Sequence, residues 1–264
     1  MSTSANNLVR CITALGLTIG LLWTGAAQAA DALLQVQTRG TEKINYWWMP
    51  HDKAIATVVL FPGGPGGMGY RNGQPESSNF LVRTRQAFFD QGFNVVIVGN
   101  PTDQRALSNS WRVSRSHVLD TATILNDVLA RSQAPIWIIG TSKGTMSAAT
   151  MGIELQDRIS GIVLTSSVTA ERVPESVPLQ ALDRIKLPVL VYHHREDACS
   201  VTPPGEAHLI TDRLTASPVK KLMLVSGGAG ASGDPCEALH FHGFIGMESQ
   251  AVADIANWIK NPQP

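Results

Sequence analysis

The sequence predicts an α/β fold with a mostly parallel central sheet of about eight strands and helices on both faces. From residue 54 onward, short apolar runs alternate with segments whose apolar residues recur at helical spacing. Apart from Asn94, the runs at 93–98 and 135–139 are apolar, which is typical of strands buried on both faces. Repeated strand–helix units of this kind form parallel sheets. Because no repeat and no linker interrupts the pattern, we expect residues 30–264 to form a single domain.

Composition limits the classes of function. The chain has 264 residues, of which 44% are hydrophobic, and its formal net charge is zero. Such a chain can bury one large core. Since basic and acidic residues are equal in number, the chain lacks the excess of basic residues that is typical of nucleic-acid-binding proteins, and no nucleic-acid partner is expected.

The first 29 residues have the composition of a secretory signal peptide. Arg10 is their only charged side chain, residues 12–23 are mostly apolar, and Ala27 to Ala29 end the run with small residues. The apolar run is too short to span a bilayer comfortably. The sequence therefore predicts cleavage after Ala29, export to the periplasm or medium, and no stable membrane insertion afterwards.

The remaining chain is divided by apolar periodicity and by glycine and proline. The predicted strands cover residues 33–38, 43–49, 54–61, 93–98, 135–139, 159–164, 188–193 and 221–225. The predicted helices lie at 78–91, 118–129, after 144, at 204–214 and around 252–259. Only about twenty residues separate the strands at 159–164 and 188–193, which leaves no room for a lid domain.

The motif G-x-S-x-G occupies residues 140–144, between an apolar run and a segment of small residues. A serine on a sharp strand-to-helix turn is typical of a nucleophile elbow. Such a turn strains the serine backbone, and only glycine at positions 140 and 144 lets strand and helix pass closely. The alternative is a strand–helix loop with an incidental serine. We interpret Ser142 as the nucleophile.

A glycine-rich loop, residues 62–69, follows the strand at 54–61. Its spacing formally matches a dinucleotide fingerprint, with Asp90 at about the expected distance, but no helix follows the loop immediately. A merely flexible loop is a second interpretation. We favour a third, in which backbone N–H groups of Gly63 or Gly64, together with that of Lys143, face an oxyanion. Pro65 has no N–H to contribute.

A serine nucleophile needs a base, and the base needs an orienting acid. Asp197 follows the strand at 188–193 and is favoured as the acid, with the adjacent Glu196 as the alternative. His242 lies between the last strand and the last helix and is favoured as the base because Gly243 follows it; His240 is the alternative.

The histidines and cysteines admit two further interpretations. His193, His194, His240 and His242 invite a zinc site, but no H-E-x-x-H motif and no closely spaced cysteine pair is present, so no metal or other cofactor is expected. Two cysteines remain after residue 29, at positions 199 and 236, and in an oxidising compartment we expect them to form a disulfide. That bond would tie the loop carrying the acid to the loop carrying the base.

The chain resembles the α/β-hydrolase superfamily over essentially all of the region after residue 29. The resemblance depends on the elbow at 140–144, the loop at 62–67, Asp197 and the segment 242–244, and on the positions they occupy among the strands and helices. The glycine loop is also similar to that of proline iminopeptidases, although Pro62 replaces their histidine and the chain lacks their cap domain. The resemblance implies ester hydrolysis of a small-molecule substrate through an acyl-enzyme. A peptidase or amidase using the same residues, and a non-catalytic binding protein with this fold, are the alternatives.

Overall fold

The computed structural model describes residues 1–2 and 30–264, so the predicted signal peptide lies almost entirely outside the described residues. The strands of the described chain are β1 (Ala32–Gln37), β2 (Lys43–Met49), β3 (Ala56–Phe61), β4 (Tyr70–Arg71), β5 (Gln74–Pro75), β6 (Phe93–Pro101), β7 (Ile136–Thr141), β8 (Gly161–Thr165), β9 (Val189–His194) and β10 (Lys220–Val225). The helices are α1 (Phe80–Arg83), α2 (Arg85–Asp90), α3 (Asn109–Arg112), α4 (Arg115–Arg131), α5 (Gly144–Glu154), α6 (His208–Arg213) and α7 (Glu248–Lys260).

Eight of these strands form one sheet in the order β1-β2-β6-β3-β7-β8-β9-β10. Strands β1 and β2 form an antiparallel hairpin whose turn contains Gly40, and β2 also pairs antiparallel with β6. The other neighbouring strands pair in parallel. The predicted α/β class and the mostly parallel eight-stranded sheet are therefore confirmed.

The core lies on both faces of the sheet because the central strands are buried on both sides. All six residues of β3 are buried, and so are all six of β7. Alternate residues of β3 enter opposite layers. Val59 and Phe61 pack in the layer with α4 and α5, whereas Val58 and Leu60 pack in the layer with α1, α2 and α7. This two-sided burial explains why the strand sequences read as continuous apolar runs.

The structure differs from the predicted helix at 78–91, which is broken into α1 and α2. The break lies at Thr84, whose hydroxyl and backbone N–H both donate to the carbonyl of Phe80, at 2.6 Å and 3.1 Å, an arrangement that often bends helices. Between β8 and β9 the chain makes two single-turn 3-10 helices, Val177–Leu179 and Leu182–Arg184. In the part of the chain that the structure describes, no helix is both long and apolar enough to cross a membrane.

Candidate active site

Ser142 occupies a strained turn between β7 and α5. Its φ is +53°, a left-handed backbone conformation that residues other than glycine rarely adopt. The turn is held on both sides, because the Ser142 N–H donates to the carbonyl of Thr165 at 3.0 Å and the Thr145 hydroxyl donates to the carbonyl of Ser142 at 2.6 Å. Backbone strain of this kind persists only where the surrounding contacts over-determine it.

The glycines that flank Ser142 are required by close backbone contacts. A Cβ on Gly140 would lie 2.4 Å from the carbonyl oxygen of Gly144, and a Cβ on Gly144 would lie 2.0 Å from that of Phe61. A Cβ on Gly63 would come within 2.8 Å of the Ser142 Cβ and 3.4 Å of its Oγ. The glycine loop therefore passes directly beside the serine, where no side chain would fit.

Asp197 and His242 form a buried hydrogen-bonded pair. The Nδ1 of His242 donates to Oδ2 of Asp197 at 2.9 Å, and both side chains are almost completely buried. With its proton on Nδ1, the neutral imidazole of His242 keeps Nε2 free as an acceptor. Glu196, the alternative acid, is exposed, and the structure pairs the favoured acid with the favoured base.

Two further groups hold the Asp197 carboxylate. The hydroxyl of Thr202 donates to Oδ2 at 2.9 Å and lies 3.2 Å from Nδ1 of His242. The N–H of Cys199 donates to Oδ1 at 3.0 Å. Because Thr202 hydrogen-bonds the buried carboxylate and lies against the imidazole, it belongs to the site. Sequence reasoning missed it, since no motif marks a threonine five residues after the acid.

The loop that carries His242 is fixed through its backbone. The hydroxyl of Ser166 donates to the carbonyl of His242 at 2.7 Å, and the Arg83 guanidinium donates to the carbonyl of Gly243 at 2.5 Å. A Cβ on Gly243 would lie only 2.0 Å from the carbonyl oxygen of Ala238. Glycine after the histidine therefore permits the loop to fold back on itself beside Ser142.

Ser142 and His242 line the same cavity, whose volume is about 280 Å³. Gly64 and Lys143 also line it. Within the described chain, no group accepts a hydrogen bond from the backbone N–H of either residue. Two backbone donors at the wall of one cavity are what an oxyanion site requires. The other lining residues are Pro65, Phe80, Thr141, Cys199, Val201, Cys236, Glu237, Ala238 and Gly243.

The remaining histidines of this region have structural partners. His193 is fully buried, its Nε2 accepts from the N–H of Ser167 at 2.6 Å, and burial lowers its pKa to about 4. His194 stacks on Phe241 with ring centroids 4.7 Å apart. His240, the alternative base, packs edge-on against Phe241. Among the described residues, no group of three or more histidine, cysteine or acidic side chains is arranged to hold a metal ion.

The predicted disulfide is present between Cys199 and Cys236, whose Cα atoms lie 4.5 Å apart. Both cysteines line the cavity. Cys199 also supplies the N–H that binds Asp197, and Cys236 lies on the loop that leads to His242. The bond therefore joins the acid loop to the base loop at the wall of the site.

The glycine loop does not have the structure of a dinucleotide site. After Gly69 the chain enters the short ribbon of β4 and β5 instead of a helix. Asp90 ends α2 before β6 begins, whereas the acidic residue of that fingerprint follows a strand. The loop instead packs against Ser142, as its contacts show.

Comparisons with known proteins identify the fold. No protein-family model and no curated protein sequence matches the chain. Among solved structures, an esterase of Pyrococcus furiosus aligns over 89% of this chain and 92% of its own, with TM-score 0.64 and 14% identity. A serine hydrolase homologue from Coxiella burnetii aligns over 88% and 97%, with TM-score 0.58 and 14% identity. An α/β serine hydrolase without a lid, from Xanthomonas campestris, aligns over 87% and 92%, with TM-score 0.58 and 12% identity. Sheet order, elbow geometry and these alignments together show that the chain has the fold of the α/β-hydrolase superfamily.

Proposed function

We propose that the protein is a serine hydrolase that cleaves small carboxylic esters through an acyl-enzyme. The observation that carries the proposal is the shared cavity of Ser142 and His242, with Asp197 hydrogen-bonded behind the imidazole. A binding protein has no need of a strained serine beside a buried acid–base pair. Solved structures of the same fold that are described as an esterase and as serine hydrolases support the class of reaction.

In the proposed reaction, the Ser142 hydroxyl attacks the ester carbonyl carbon and passes its proton to Nε2 of His242. The tetrahedral intermediate collapses when the alcohol leaves with that proton, and water then releases the acid by the same steps in reverse. Asp197 accepts a hydrogen bond from Nδ1–H of His242 and stabilises the imidazolium that forms. Thr202 and the Cys199 N–H hold the carboxylate in orientation through their hydrogen bonds.

The oxyanion would be bound by the backbone N–H of Lys143 and that of Gly64 or Gly63. Removing one such donor from comparable enzymes costs about 10²–10³ in turnover, so their alignment matters as much as the nucleophile. The cavity is small, with a volume of about 280 Å³, and we expect it to bind short acyl groups.

The test is turnover of p-nitrophenyl acetate by the wild type, Ser142→Ala and a control, Ser249→Ala, whose serine is exposed on α7. We expect activity to disappear only in Ser142→Ala, with unchanged circular dichroism. Labelling by a fluorophosphonate probe should likewise require Ser142. Retained activity in Ser142→Ala would refute the assignment, and an unlabelled wild type would favour the non-catalytic binding protein.

Ester preference over amide preference is a separate part of the proposal. We expect faster hydrolysis of short esters than of aminoacyl-amides, because an amide carbonyl is less electrophilic and its nitrogen must be protonated before the C–N bond can break. An acyl-chain-length panel run beside aminoacyl p-nitroanilides measures both. Higher kcat/KM for the amides would identify a peptidase or amidase using the same residues.

We also propose that the protein is exported, to the periplasm or the medium. The disulfide between Cys199 and Cys236 supports this, because such bonds persist mainly in oxidising compartments. Mass spectrometry of the protein isolated from its host tests the cleavage predicted after Ala29. A mature chain that still begins at Met1 would contradict it.

A further inference from the structure

Arg112, the last residue of α3, is a buried cation that the proposed mechanism does not yet use. Its side chain is among the largest that are completely buried. In the described chain no carboxylate forms an ion pair with it, and burial lowers its pKa to about 10, so it remains charged at neutral pH. A buried charge without a counter-ion is costly, and it is retained where it has a use.

The guanidinium contacts the backbone of the glycine loop. Nη1 of Arg112 donates to the carbonyl of Pro62 at 3.4 Å, and Nη2 donates to the carbonyl of Gly64 at 3.1 Å. The Pro62 carbonyl belongs to the peptide unit whose N–H is that of Gly63. The two contacts therefore bracket the N–H groups of Gly63 and Gly64, the loop donors of the oxyanion site.

The same guanidinium contacts the elbow helix. Nη1 of Arg112 lies 3.2 Å from Oγ of Ser147, which is buried in the first turn of α5. Lys143, the other oxyanion donor, immediately precedes that helix. Arg112 thus contacts both segments that supply N–H donors to the oxyanion site. A planar guanidinium with five N–H donors can bind several carbonyl and hydroxyl oxygens at once, which the ammonium group of a lysine does less well.

We infer that Arg112 is a positioning residue of the oxyanion site, and that its charge favours the negatively charged intermediate over the neutral substrate. The inference rests on the proposed function. The guanidinium holds the loop donors at a fixed distance from the elbow, and the developing oxyanion supplies the negative charge that the buried cation otherwise lacks. Interactions that strengthen only as charge develops lower the barrier instead of tightening substrate binding.

This role predicts a specific kinetic pattern. We expect Arg112→Met to lower kcat for p-nitrophenyl acetate by about 30- to 300-fold, with KM changed by less than about threefold. The inhibition constant of a trifluoromethyl ketone, which forms a tetrahedral oxyanion adduct with serine, should rise by a similar factor. Arg112→Lys keeps the charge but loses the fork, so both quantities should change by about 3- to 10-fold. Arg115→Met, at an exposed arginine nearby, is the matched control and should leave them unchanged.

A merely structural role gives different results. If folded Arg112→Met retains kcat within about threefold, or if kcat falls while the affinity for the ketone is unchanged, the inference is overturned. If Arg112→Met does not fold, Arg112→Lys decides, and wild-type values for its kcat and ketone affinity overturn the inference. Absence of Ser142-dependent labelling and turnover in the wild type overturns the proposed function and this inference together, whereas failure in the Arg112 variants alone overturns only the inference.

Discussion

The buried imidazole of His117 should make the protein sensitive to acid. His117 lies in α4, is completely buried, and packs edge-on against Phe61 with ring centroids 5.7 Å apart. Within the described chain, neither ring nitrogen has a hydrogen-bond partner. Burial lowers the pKa of His117 to about 3, and the nearby charges of Arg112 and Arg39 act in the same direction.

The sign of the effect follows from linkage. The native state keeps His117 neutral, whereas the unfolded chain takes up a proton below its ordinary pKa of about 6.5. Protonation of His117 in the unfolded chain therefore leaves the free energy of unfolding unchanged well above pH 6.5 and lowers it progressively as the pH falls toward 3. Since each tenfold difference in proton affinity corresponds to about 1.4 kcal/mol, the loss between pH 7 and pH 4 is about 3 kcal/mol for this one group.

The assay compares the free energy of unfolding in urea, followed by circular dichroism, for the wild type and for His117→Phe at pH 7 and pH 4. The variant has no group to protonate at this position, so its loss over that interval should be smaller by about 3 kcal/mol. Other titrating groups, including the buried His193, contribute to both proteins and cancel in the difference. If the wild type and the variant lose the same free energy of unfolding to within about 1 kcal/mol, the argument is refuted. If the phenylalanine ring does not fit the site of the imidazole, His117→Leu repeats the test.

Three further predictions concern the site. In a urea titration, Gly144→Ala should lower the free energy of unfolding by more than about 3 kcal/mol, because its Cβ would lie 2.0 Å from the Phe61 carbonyl oxygen. The control Gly205→Ala, whose Cβ would have no atom within 4 Å, should change it by less than about 1 kcal/mol. Thr202→Val should lower kcat/KM for p-nitrophenyl acetate by about 3- to 10-fold, since the Asp197 carboxylate loses a donor; an unchanged value would contradict its role. Reduction of the disulfide, which closes a loop of 37 positions, should cost about 3–4 kcal/mol by the chain-entropy model, measured as the difference between urea titrations with and without dithiothreitol.

Much of the fold was predictable because the apolar runs of the sequence coincide with the strands that are buried in the sheet. Strands buried on both faces are mostly apolar, and the strands that end at Phe61 and Thr141 show this directly, with threonine as their only polar residue type. The helix at 78–91 was predicted as one element, and the reason for the error is local. Thr84 turns its hydroxyl back to the Phe80 carbonyl, a choice that apolar spacing does not reveal.

The sequence by itself determined the elements that depend on neighbouring residues: the alternation of strands and helices, the glycines around the elbow, and the chain order of serine, acid and histidine candidates. Only the tertiary structure selected Asp197 and His242 as the hydrogen-bonded pair, added Thr202 beside them, and placed Arg112 behind the glycine loop. The physical reason is separation along the chain. Local sterics can be read from adjacent residues, whereas a hydrogen bond between side chains 45 positions apart depends on how the whole sheet brings its loops together.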